Sequence, residues 1–293
     1  MKIRKIWIGI CGLTFIIGCI SVFAYISVNR NRPKPVVHVV PEKMSAPDFT
    51  IEKAQETIEE SNWWNDEDGL PDFKIKLLET GEGFHSDEVE ARSGETWFGL
   101  FDSDDGTHFL RPTRIKIRRV YDEIIDGKNK KLKTGKTVGV AGKDAPLFLL
   151  KNADQLKPGK IKTLFRRYDS DEAIGTGDFI QSFDKNFVQN YELGGKTYQL
   201  KVKEGVNKKG EGILALVLES EGVKQTLQSV KSEYTEDLGT LYWVGDLDRD
   251  GKPDFYTNLF VHENVTYRNL YLSSEAEKGK LVKEVADFST MGC

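Results

Sequence analysis

A periodicity of two, repeated along most of the chain, restricts its fold more than any other feature. "FKIKL" from Phe73, "IKIRRV" from Ile115, "IKTLF" from Ile161, "YQLKV" from Tyr198 and "DFYTNLFV" from Asp254 each alternate or run apolar over strand length. Successive side chains of a strand point to opposite faces, so such runs bury one face of a sheet and wet the other. Turn chemistry lies between them: "DDG" at Asp104, "KPG" at Lys157 and "LGG" at Leu193, each with the glycine that a tight reversal uses. Helical periodicity is nearly absent. A short helix is expected only over about Thr50 to Glu60, where Ile51, Ala54 and Ile58 share one side. The pattern predicts an all-β or β-dominated fold, with sandwich-like β units after an N-terminal membrane segment and that short helix.

A polar, glycine-containing stretch, "RYDSDEAIGTGD" from Arg167 to Asp178, interrupts the strand pattern. It suggests residues 1–28 as signal or anchor, 29–60 as tether and short helix, and two β-rich units over 61–168 and 169–293. One continuous sandwich also fits, because 39% hydrophobic residues in 293 suffice for one large core or two modest ones.

The membrane segment is the run from Ile6 to Val28, "IWIGICGLTFIIGCISVFAYISV", long enough to span a bilayer. It admits three readings: an uncleaved anchor, a signal cleaved after Ala24, or a lipoprotein signal ending at Cys19. Each puts the following domain outside the cytoplasm, in a periplasm or at a cell surface, or secreted if the signal is cut. Of the 42 basic residues, six lie in Met1–Lys34, which has no acidic residue, so the rest of the chain carries 36 basic against 46 acidic side chains. That acidic balance argues against nucleic acid as a partner. Two of the 3 cysteines, Cys11 and Cys19, fall in the apolar run, and Cys293 is the last residue. A disulfide framework is therefore not expected.

The sharpest motif is "WVGDLDRDGKPDF", Trp243 to Phe255, which places four aspartates around one glycine between two apolar runs. Its spacing is D-x-D-x-D-G-x-x-D. Side chains at the first, third and fifth positions converge if the chain curls sharply, and the sixth-position glycine allows the curl. Asp246, Asp248, Asp250 and Asp254 then offer carboxylates and Lys252 its backbone carbonyl, an all-oxygen set suited to Ca2+. Like charges about 4 Å apart repel by roughly 4 kcal/mol at an effective dielectric near 20, so converging carboxylates call for a cation. The other readings of the loop are a solvated acidic turn and a pair of catalytic carboxylates.

The loop and its flanking strands resemble the calcium loops of FG-GAP and VCBS repeats, and are similar to dockerin and EF-hand loops. The resemblance implies calcium held by Asp246, Asp248, Asp250, Asp254 and the Lys252 carbonyl. At the twelfth position, where an EF-hand carries glutamate, this chain has Thr257. A partial echo, "DEDGLPDF" from Asp66, lacks the first ligand and offers Asp66, Asp68 and Asp72 as a possible second site. The later stretch "LYLSSEAEKGKLVKEVADF" resembles exported bacterial proteins, which implies no activity.

Catalytic motifs are absent. "KTGKT" at Lys133 lacks the first glycine of a phosphate loop, no G-x-S-x-G elbow occurs, and His38, His85, His108 and His262 have no ligand spacing. The expectation is a membrane-anchored or exported calcium-binding protein with an adhesion, binding or envelope-structural role, its partner a protein or glycan. The alternative is an envelope hydrolase with unidentified catalytic residues.

Overall fold

The alternation is realised as sixteen strands in a computed structural model that describes residues 56–59, 72–103, 106–166, 182–259 and 264–292. They are β1 (Lys76–Leu78), β2 (Gly81–Phe84), β3 (Thr96–Asp102), β4 (His108–Val120), β5 (Gly135–Val140), β6 (Phe148–Lys151), β7 (Gly159–Arg166) and β8 (Ser182–Asp184). The second half adds β9 (Val188–Leu193), β10 (Lys196–Val206), β11 (Gly212–Ser220), β12 (Val223–Lys231), β13 (Asp237–Asp246), β14 (Asp254–Leu259), β15 (Val265–Leu272) and β16 (Lys283–Met291). The protein is all-β over the described residues, as the periodicity predicts.

Twelve strands form one sheet whose main path runs β1-β6-β3-β4-β7-β13-β14-β15-β16, and its two ends, β1 and β16, lie side by side. The path is thus nearly closed into a barrel, which leaves little open strand edge. Inside it pack Trp97, Leu100, Leu110, Phe148, Leu150, Trp243, Tyr256 and Leu270. A four-stranded sheet, β12-β11-β10-β9, shares a second core with the same barrel strands. There Tyr191, Leu200, Leu214, Leu216 and Leu218 meet Leu241, Val244, Phe255 and Tyr271. Strands β13 and β14 therefore serve both cores: Trp243 and Tyr256 belong to the first, Val244 and Phe255 to the second. That double service explains why "LYWV" and "DFYTNL" read apolar on both faces.

Strand pairing crosses the polar stretch 167–178. Val244 of β13 is opposite Phe165 of β7, and residues Ala54–Cys293 form one compact unit. The glycine turn at Leu193 is borne out: Leu193 pairs with Lys196, and Gly194 and Gly195 take φ of 60° and 75°, the left-handed pair of a two-residue hairpin.

The helix expected over about Thr50 to Glu60 is not formed by residues 56–59. They run extended, with Thr57 bridged in parallel to Val206 and Ile58 N–H donating to the Val206 carbonyl. Tertiary packing outweighs the weak helical pattern, because Ile58 covers Ile213, Ala215 and Val217 on the outer face of β11. Ile58→Ala is expected to cost about 2 kcal/mol, measured by urea unfolding; a loss under about 0.5 kcal/mol would show that the segment does not cover that face. The apolar run Ile6 to Val28, the tether, Trp63 and Trp64, and Asp66 and Asp68 of the echo lie outside the described residues. Among the described residues no helix is long and apolar enough to cross a membrane.

Candidate metal centre

The aspartate motif is the connection of the β13–β14 hairpin. Gly245 and Asp254 are the last facing pair of the ladder, and the chain curls between them with Arg249 at φ 64° and Gly251 at φ 81°. The glycine at the sixth position thus adopts the left-handed backbone that the motif requires of it. The curl brings one carboxylate oxygen each from Asp246, Asp248 and Asp254 within 4.8 Å of one another, a group able to hold a metal ion.

Each carboxylate accepts from a backbone N–H of the loop, and Asp254 accepts a second from Ser273, outside it. Asp254, the first residue of β14, is fully buried; one oxygen accepts the Leu247 N–H at 2.7 Å and the other accepts the Ser273 N–H at 2.8 Å. Asp246 accepts the Gly251 N–H at 3.3 Å, and Asp248 accepts the Asp250 N–H at 3.2 Å. Asp250 accepts the Lys252 N–H at 2.8 Å, and its other oxygen pairs with the Lys252 ammonium at 3.2 Å. The structure thus gathers Asp246, Asp248 and Asp254, and engages Asp250 and Lys252 with each other. Asp72 of the echo is bonded to Lys76 at 2.7 Å.

Two residues of the site carry no sequence signal. Ser273 Oγ lies 2.9 Å from Asp250 and 3.1 Å from Asp254, and the Ser274 hydroxyl donates to Asp248. They sit just after β15, so only the β14–β15 pairing places them here. Two further turns meet the loop. The Arg249 guanidinium donates to the Lys157 carbonyl at 3.2 Å, and a Cβ at Gly194 would stand 2.7 Å from the Gly251 carbonyl. Gly194 belongs to the turn of the four-stranded sheet, so the loop is packed against both sheets.

The electrostatics favour a cation. Burial lifts the Asp246 carboxyl above its ordinary range, with the charges of Asp248 and Asp250 adding to the shift. Asp254 is raised further, first by burial and then by Asp248. Among the described residues no lysine or arginine pairs with Asp246, Asp248 or Asp254. Free energy held as desolvation and repulsion is released when a positive ion enters.

Two other titratable groups, one buried and one partly buried, lie apart from the loop. His108 of β4 has a side chain only 1% exposed, with Nδ1 2.7 Å from Thr163 Oγ1 and Nε2 3.1 Å from Asp102. Burial pushes its imidazole down to about 4. The neighbouring Asp102 carboxylate is half exposed and paired with Arg166. Glu284 of β16 accepts from Asn269 Nδ2 at 2.5 Å, and burial lifts its carboxyl to about 7, with Asp287 contributing.

The chain matches no protein-family model, no curated protein and no solved structure, so the reading of this loop rests on its own geometry and chemistry.

Proposed function

We propose that the β13–β14 loop binds Ca2+, and that the protein is a membrane-anchored or exported calcium-binding protein with an adhesive, binding or envelope-structural role. The observation that carries the metal reading is the convergence of three aspartates, one of them fully buried, none of which forms an ion pair with a lysine or arginine among the described residues. Ca2+ suits the set because it takes six to eight oxygens in a forgiving geometry and accepts water for the remainder. Mg2+ demands a stricter octahedron. The structural role follows from place. The loop touches the Lys157 turn, the Gly194 turn and Ser273, so an ion there tightens a junction of both sheets.

Extracellular modules bind calcium with dissociation constants of about 0.1–1 mM. At tenfold excess, occupancy stabilises the fold by about 1.4 kcal/mol. Calorimetric titration of chelator-stripped protein is expected to show saturable calcium binding that Asp248→Ala abolishes. A folded parent that binds nothing up to several times ~1 mM would make the loop a solvated turn.

Asp248→Asn gives a prediction of sign. Asparagine's Oδ1 keeps the bond from the Asp250 N–H and its Nδ2 can donate to Ser274 Oγ, reversing that bond, while the charge that repels Asp246 and Asp254 is removed. Without calcium the variant is expected to be more stable than the parent by about 1 kcal/mol, while losing the stabilisation that calcium brings. Thermal unfolding with chelator and with millimolar calcium tests both halves; a variant less stable than the parent under chelator would contradict the electrostatic account.

A further inference from the structure

The connection between β4 and β5 is long, well braced and oddly decorated. Ile124 and Ile125, adjacent in sequence, are 56% and 62% exposed, and Leu132 is 46% exposed. Lys128, Lys130, Lys131 and Lys133 of the same connection are all exposed as well. From Arg114 to Lys133 the chain has eight basic and three acidic side chains, in a protein whose sequence after Lys34 is acidic overall.

Two of those three acids are used inside the loop. Asp122 and Asp126 are 7% and 5% exposed. Asp122 accepts the N–H groups of Ile124 and Ile125 at 3.0 Å each and contacts His85 Nδ1 at 2.6 Å. Asp126 accepts the Asp122 N–H at 2.9 Å and the Thr134 hydroxyl at 2.8 Å, and the Tyr121 hydroxyl donates to the Gly127 carbonyl. Glu123 is left as the one exposed acid between Tyr121 and Thr134. This network fixes the backbone so that the two isoleucines point into solvent and the acids point away from it. A loop braced in this way keeps aliphatic surface in water, an arrangement that a partner relieves.

We propose that this loop is a membrane-docking surface that seats the domain on an anionic bilayer. The partner is set by the combination of groups. Lysine ammoniums match lipid phosphates, and exposed aliphatic side chains match the boundary between headgroups and acyl chains. A soluble polyanion would engage the lysines and leave Ile124 and Ile125 in water; a bilayer engages both. The apolar run from Ile6 to Val28, itself expected to sit in a membrane, keeps such a surface within the protein's own surroundings. The proposal is independent of the calcium reading.

The test is amide hydrogen exchange on the full chain reconstituted into phosphatidylcholine vesicles, with and without phosphatidylglycerol. On the anionic vesicles the amides over residues 123–133 are expected to exchange about tenfold more slowly at low salt, with the protection lost near 0.5 M salt. Each lysine contributes roughly fivefold to docking, so K128Q/K130Q/K131Q/K133Q is expected to abolish the protection, and I124S/I125S to do the same through the apolar contact. All these side chains are exposed, and unchanged exchange in β11 shows that each variant remains folded. Equal exchange on neutral and anionic vesicles overturns the proposal, as does protection that survives in either variant. Polyphosphate added with neutral vesicles is expected to give no protection; comparable protection would make the loop a polyanion site instead.

Discussion

Asp254→Ala is expected to lower the stability of the protein by about 4 kcal/mol and to remove calcium binding. Its carboxylate is fully buried and accepts the N–H groups of Leu247 and Ser273, so truncation strands two buried donors. Each unsatisfied donor costs about 1–3 kcal/mol, and relief of the buried charge offsets part of the sum. The loss joins fold and function in one side chain, since Asp254 both closes the β13–β14 hairpin and ties it to the end of β15. Urea unfolding at matched m-values measures it. A loss below about 1 kcal/mol would mean that water replaces the carboxylate at the Leu247 and Ser273 N–H groups.

The second large effect is on pH dependence, where a buried histidine and a partly buried glutamate oppose each other. His108 has a folded-state value of about 4 against an ordinary 6.5, so between those values the unfolded chain takes up a proton that the folded protein refuses. Its contribution is present above pH 6.5 and is lost as pH falls towards 4. Glu284 has a folded-state value of about 7 against 4.5, so its contribution is present below pH 4.5 and is lost as pH rises through 7. Each is worth about 3 kcal/mol over its window, and in the overlap the two nearly cancel. Glu284→Gln, which can keep the bond from Asn269, is therefore expected to gain on the parent by about 3 kcal/mol between pH 4.5 and 8. The corresponding His108→Asn difference should grow in the variant's favour as pH falls from 6.5 to 4. Denaturation curves across this range decide it, with parent and variant compared at each pH so that all other carboxylates cancel. Parallel profiles would show that neither group is shielded from water.

The fold class was legible because strand alternation is a local signal. "IKIRRV", "IKTLF" and "YQLKV" lie inside β4, β7 and β10, and "LGG" makes the hairpin turn it suggests. The curl of the aspartate loop was legible for the same reason: side-chain spacing and a glycine at the sixth position are written within nine residues. Thr257, at the position where an EF-hand has its glutamate, lies in β14 and is fully buried. The segment after the loop is strand, as its periodicity predicts. The helix near Thr50 failed in the part that can be compared, residues 56–59, because Ile58 is held by a sheet face formed by residues more than a hundred positions away.

By itself, then, the sequence determined the all-β character, the turns and the gathering of acidic side chains in one tight loop, each of which depends on residues a few positions apart. Only the tertiary structure decided that β7 pairs with β13, that Ser273 and Ser274 reach the aspartates, that Asp254 is wholly buried and that His108 and Glu284 are shielded. Periodicity states which face of a strand turns inward. Which strands become neighbours is set by the joint packing of two cores, and burial and carboxyl chemistry follow from that packing.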